Sequence, residues 1–100
     1  MNGILLIEKK IFEKIAANYP NIPHYAEGEY FVKIPTGWLI EQCGWKGKRI
    51  GNTGSHKDQA LVLVNYGNAS GEEVYALSEE ILQSVKEKFG VQLEREVVIL

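Results

Sequence analysis

Between Ser70 and Phe89 the apolar residues Val74, Leu77, Ile81, Val85 and Phe89 recur every three to four positions, the period of one face of an α-helix about five turns long. Both ends are signalled. Ser70 and Glu73 stand at the spacing of a capping box, Ala69 and Val74 are placed for a hydrophobic staple, and Gly90 occupies the position where a left-handed residue ends a helix. Glu72 and Glu73 at the start and Lys86 and Lys88 at the end complement the helix dipole. A helix of this length with a single apolar stripe is stable only if other elements cover the stripe, so the rest of the chain is read for what can do so.

A second helix is expected from Glu8 to Tyr19, where Ile11, Phe12, Ile15, Ala16 and Tyr19 fall at helical spacing and Pro20 stops the run. Asn21 to Glu29, with Pro23 and Gly28, reads as a surface loop. Tyr30 to Ile34 reads as a short strand. Thr36 is expected to cap a short helix running to about Cys43, with Trp38 and Leu39 inward and Gly44 ending it. A basic, Gly-rich segment follows, and then Ala60 to Val64, a continuous apolar run expected to be a central strand, with a turn at 65–68. Leu93 to Leu100 reads as the last strand. These elements predict an α+β fold, a single domain over 1–100 in which the long helix and the first helix cover one face of a small sheet.

Charge narrows the function. Eleven Lys and Arg against thirteen Asp and Glu, net −2, leave no basic footprint for nucleic-acid binding. The N-terminal apolar run Ile4 to Ile7 is far too short for a signal core or a membrane span. The lone Cys43 excludes an internal disulfide framework and agrees with a reducing compartment. A cytoplasmic location with no membrane partner is the expectation.

Several residues carry possible chemistry. The segment 44–55 gathers Lys46, Lys48 and Arg49 with four glycines, a composition suited to phosphate oxygens. It matches neither G-x-x-x-x-G-K-[ST] nor G-x-G-x-x-G, and a solvated turn is the commoner reading of such a stretch. Glu96 stands before the apolar end of the last strand, where a carboxyl among apolar neighbours tends to hold its proton and can act as an acid; a solvent-facing glutamate on an edge strand is the plainer alternative. His24, His56 and Cys43 have no compact metal-ligand spacing. Ser55, His56 and Asp58 are too close in sequence to align as a nucleophile, base and carboxylate. Tyr25 is either an exposed aromatic available to a ligand or a ring folded back on the core.

Four blocks, Gly37 to Gly47 (GWLIEQCGWKG), Gln59 to Asn65 (QALVLVN), Gly67 to Ala69 (GNA) and Lys86 to Val97 (KEKFGVQLEREV), resemble the C-terminal domain of the UDP-N-acetylenolpyruvoylglucosamine reductase family. There the corresponding pattern is G-x-L-I-[DE]-x-[AC]-G-[LW]-K-G, an apolar strand ending in Asn, G-N-A, and K-F-G-[IV]-x-L-E-P-E-V. The resemblance covers almost the whole chain in order. It implies a bacterial flavoenzyme of peptidoglycan precursor synthesis, in which NADPH reduces FAD and the flavin reduces the enolpyruvyl double bond of UDP-N-acetylglucosamine enolpyruvate to give UDP-N-acetylmuramate. It further implies that Glu96 is the acid assisting the enolic intermediate. Tyr25 matches the tyrosine of a mobile loop, present in one subgroup, that closes over the UDP diphosphate. Lys46 and Gln59 match substrate-contacting residues, and Asn2 matches the asparagine after the family's N-A-G-S-F-F segment. Arg95 departs from the family's proline, and Gly51-Asn52-Thr53-Gly54 from a G-G-A sequence.

On this resemblance the FAD-binding portion and the proton-donating serine lie outside the chain. FAD and NADPH belong to the full-length enzyme, and the chain alone is expected to bind neither and not to turn over. Two alternatives stand beside this: a free-standing UDP-sugar or anion-binding module without redox activity, and self-association through a surface that packs on the flavin domain in the full-length enzyme.

Overall fold

The computed structural model describes residues 3–59, 62–93 and 98–99. Its chain order is β1 (Ile4–Glu8), α1 (Lys9–Asn18), β2 (Tyr25–Glu27), β3 (Phe31–Pro35), α2 (Thr36–Gln42), β4 (Arg49–Ile50), β5 (Thr53–Ser55), β6 (Val62–Asn65), α3 (Gly71–Phe89) and β7 (Val98–Ile99).

Helix α3 is the one the sequence signals. The Ser70 hydroxyl accepts from the Glu73 backbone N–H at 3.1 Å, and Gly90 takes the left-handed conformation at φ 70° while donating to the Lys86 carbonyl. Val74, Leu77, Ile81, Leu82 and Val85 form its buried stripe. Strands β4-β5-β6-β7 lie in that order in one sheet, antiparallel except for the parallel pair β6-β7, with Val62 opposite Val98 and Leu63 opposite Ile99. The path β6-α3-β7 is therefore a crossover, which is how a parallel pair must be joined. β6 is central in its sheet, and Leu63 is completely buried.

The sheet is not one but two. A second, three-stranded sheet has the order β1-β3-β2, antiparallel throughout. The sequence reading contains no β1, because its run of four apolar residues has no polar alternation to mark a face. The fold supplies that alternation: Leu5 and Ile7 lie opposite Ile34 and Val32 on the inner side, while Ile4 and Leu6 stay about half exposed on the outer side. Glu8 is still paired with Phe31, so α1 begins at Lys9. Part of the expected loop 21–29 is also a strand, β2, drawn into extended form by the free edge of β3. Thr36 does not cap α2: Pro35 is the N-cap, with no side-chain bond, and Thr36 is the first helical residue, buried at 2% exposure.

Ile15 of α1 and Leu39 and Ile40 of α2 cover the inner face of the three-stranded sheet in a core continuous with the α3 stripe. Tyr19, Trp38 and Phe89 join the two halves, with ring centroids 5.2 to 6.0 Å apart. The molecule is elongated, 47 × 22 × 21 Å. No helix among the described residues is long and apolar enough to cross a membrane.

Candidate substrate-binding site

The Gly-rich basic segment is a hairpin, not an open loop. β4 and β5 pair as Arg49 with Gly54 and Ile50 with Thr53, leaving Gly51 and Asn52 as a two-residue turn. Gly51 has φ 59°, the positive value such turns favour at the first position. Gly54 is required for a different reason: a Cβ there would stand 2.5 Å from the Lys48 carbonyl oxygen and 2.9 Å from the Arg49 Cα. The three cations do not converge. Lys46 Nζ lies 3.6 Å from a Glu41 carboxylate oxygen, Lys48 Nζ 4.7 Å from the centre of the Trp45 ring, and the Arg49 guanidinium 4.2 Å from the centre of the Tyr66 ring. Each is directed by its own neighbour, and the exposed Lys46 ion pair is weak enough to exchange for a stronger anion.

Lys46 sits in a loop that is rigidly placed. Trp45 is buried at 7% exposure and its indole N–H donates to the Ser84 hydroxyl of α3 at 2.7 Å. Gly44 and Gly47, at φ 82° and 76°, turn the chain on either side. The Gly47 N–H donates to the His56 carbonyl at 3.3 Å, bracing this loop against the one that carries exposed Gln59. Because β4 and β5 form a hairpin and β6 runs antiparallel to β5, Lys46 and Gln59 lie at the same end of the sheet. β6 and β7, being parallel, both begin at that end. Glu41 carries no mark in the sequence beyond lying five positions before Lys46.

Tyr25 stands on the other sheet. It is 70% exposed, so its ring does not fold back on the core. Nor does it ride on an irregular loop: β2 pairs it with Lys33, and the preceding turn is pinned by buried Ile22 and by His24, whose Nδ1 donates to the Ile22 carbonyl at 2.9 Å and whose ring lies 4.5 Å from Phe12. Asn2 and Glu96 lie outside the described residues.

Other polar groups near these loops have local partners. His56 Nδ1 accepts from the Asp58 backbone N–H at 3.0 Å and Ser55 is completely buried, so these three do not form a triad. Among the described residues no group of three His, Cys, Asp or Glu side chains is placed to hold a metal ion. Asn65 organises the turn into α3, its amide oxygen accepting from Gly67 and Ala69.

The family model described as UDP-N-acetylenolpyruvoylglucosamine reductase, C-terminal domain, matches residues 9–100. The chain is 52% identical over 99 residues to the UDP-N-acetylenolpyruvoylglucosamine reductase of Flavobacterium johnsoniae, covering 99% of the chain and 29% of that protein. It is 50% identical over 97 residues to that of Porphyromonas gingivalis, covering 97% and 28%, and 54% identical over 82 residues to that of Chromobacterium violaceum, covering 82% and 24%. It thus spans under a third of the length of these relatives. With nearly its whole length matched, the chain belongs to the UDP-N-acetylenolpyruvoylglucosamine reductase C-terminal domain family.

Proposed function

We propose that this domain is the substrate-binding part of an enzyme that reduces UDP-N-acetylglucosamine enolpyruvate to UDP-N-acetylmuramate with NADPH and a bound FAD. The flavin would supply the hydride. The described residues do not fit a flavin themselves: the one Gly-rich segment is closed into a hairpin with no room at Gly54, and its cations point to separate partners. On this reading the cofactor is held by sequence that the longer relatives have beyond the matched segment.

The chain's own task is to hold the substrate and manage charge. Tyr25 hydrogen-bonds the diphosphate, Lys46 exchanges Glu41 for a phosphate oxygen, Gln59 binds beside it, and Asn2 adds a further polar contact. Hydride addition leaves enolate character next to the carboxylate, and Glu96 as an acid stabilises that charge. The observation that carries the reading is Tyr25, an aromatic hydroxyl held seven-tenths exposed on a paired strand with its base pinned to the core.

The test is a chimera in which this chain replaces the matched segment of the Flavobacterium johnsoniae reductase, assayed by NADPH oxidation. Glu96→Gln should lower kcat by about a hundredfold, the range of general acid catalysis, with KM little changed. Tyr25→Phe should raise KM several-fold. Full activity in both variants would sink the assignment.

A further inference from the structure

The segment that carries Lys46 runs between the end of α2 at Gln42 and the start of β4 at Arg49, with Gly44 and Gly47 at positive φ on either side of Trp45 and Lys46. Lysine has a long, flexible stem, so where this ammonium falls depends on what holds the backbone beneath it. The bonds within the segment are local turns: the Gly44 N–H donates to the Glu41 carbonyl and the Lys48 N–H to the Trp45 carbonyl, both at 2.9 Å. The bond from Gly47 to the His56 carbonyl, at 3.3 Å, is long for its kind. The firm anchor is the side chain next to Lys46. Trp45 is buried, and its indole N–H, which can only donate, meets the Ser84 hydroxyl of α3 at 2.7 Å across 39 positions of sequence. Ser84 gives its own proton to the Ile81 carbonyl at 2.8 Å. That second bond fixes the hydroxyl and leaves its lone pairs for the indole, so the two bonds form one directed chain in which each strengthens the other.

We propose that Ser84 is a positioning residue for Lys46: through the Trp45 indole it sets where the ammonium meets the substrate. The proposal rests on the reading of Lys46 given above. Without the hydroxyl a buried N–H loses its partner, a large loss beside the local bonds that hold the rest of the segment. The ring must then turn toward another acceptor or toward water, and Lys46 is the next residue along the backbone. The same ring carries Lys48, whose Nζ lies 4.7 Å from its centre, so its orientation governs two of the three cations in the segment. Helix α3 is suited to the task, since its cap, buried stripe and left-handed terminus hold it independently of that segment. A hydroxyl that served stability alone would act differently: its loss would weaken folding and leave the contribution of Lys46 to binding unchanged.

The test uses the chimera described above, with kcat and KM measured for UDP-N-acetylglucosamine enolpyruvate. Lys46→Met should raise KM about tenfold or more, the loss of one charged hydrogen bond. Ser84→Ala should raise KM about three- to fivefold with kcat kept within about twofold, which also shows that the fold is intact. Trp45→Phe removes the donor rather than the acceptor and should give the same split. Ser84→Thr keeps the hydroxyl and should hold KM within about twofold of the unmodified chimera. The deciding variant combines Ser84→Ala with Lys46→Met: if Ser84 acts through Lys46, the pair should raise KM no further than Lys46→Met does alone. If the two effects multiply, if Ser84→Ala lowers kcat with KM unchanged, or if Ser84→Ala is silent while Lys46→Met raises KM, the proposal is wrong and the Lys46 reading survives. If Lys46→Met itself leaves KM unchanged, both fall.

Discussion

Cys43 ends α2 half buried, near the Ser84 hydroxyl and Lys88. Burial pushes its thiol above the ordinary range, against smaller opposing pulls from the Ser84 hydrogen bond and the Lys88 charge. The folded chain thus keeps this proton where an unfolded thiol would lose it. Its contribution to stability is intact below the unfolded thiol's pKa and erodes as pH rises through the folded one. At about pH 8, where an ordinary thiol is partly ionised, iodoacetamide should alkylate the folded chain more slowly than the chain in denaturant, and the gap should close as pH is raised. Equal rates at that pH would contradict the assignment. The candidate site shows what single residues reveal without a structure. Lys46 and Gln59 can be singled out only through the blocks that contain them, and Tyr25, which lies outside all four, only through the family resemblance as a whole, because a lone tyrosine, lysine or glutamine has no spacing signature. The Trp45 bond to Ser84 and the Glu27 pair with Lys33 join residues far apart or on facing strands, and no local pattern encodes them.

At the scale of elements, legibility followed how local the determining interactions are. α3 could be read end to end because its cap, stripe and left-handed terminus all lie within its own sequence. The short strands β1, β2 and β4 could not, because each is extended only through its pairing partner: β2 lies in a stretch of turn residues, and the four apolar residues of β1 alternate in burial only after β3 arrives. The β4-β5 hairpin is the strictest case. At Gly54 the obstacle to a side chain is backbone, the Lys48 carbonyl and the Arg49 Cα, with the Tyr66 ring a further 3.2 Å contact. Backbone cannot swing aside as a flexible side chain would. Gly54→Ala should therefore destabilise the chain by about 2 to 3 kcal/mol, in the range of an overpacked core site, measured by urea denaturation. Gly71→Ala, at a position with nothing within 4 Å of the added carbon, should be neutral or slightly stabilising and serves as the control.

Two sheets in a chain of 100 residues raise the question of what makes them one molecule. The sheets share no strand. They are joined through the helices, and the Tyr19, Trp38 and Phe89 cluster draws one ring from the end of each helical region: the close of α1, the first turns of α2 and the last residue of α3. Phe89 touches both other rings, at 5.2 and 6.0 Å, so it ties the crossover helix of the four-stranded sheet to the helices that cover the three-stranded one. This matters for the proposed function, since Tyr25 belongs to one sheet and Lys46 and Gln59 lie in loops at one end of the other, and one substrate can meet all three only if their spacing is fixed. Phe89→Ala should cost about 2 to 3 kcal/mol, less than a fully buried phenylalanine because this one is partly exposed. Hydrogen exchange should report more than that loss. If the cluster couples the halves, exchange should rise in β1 and β3 as well as in α3, although neither strand contains the substituted residue. A rise confined to α3 and its own sheet would mean that the rest of the helical core already holds the two sheets at a set distance and that the aromatic cluster adds only local packing.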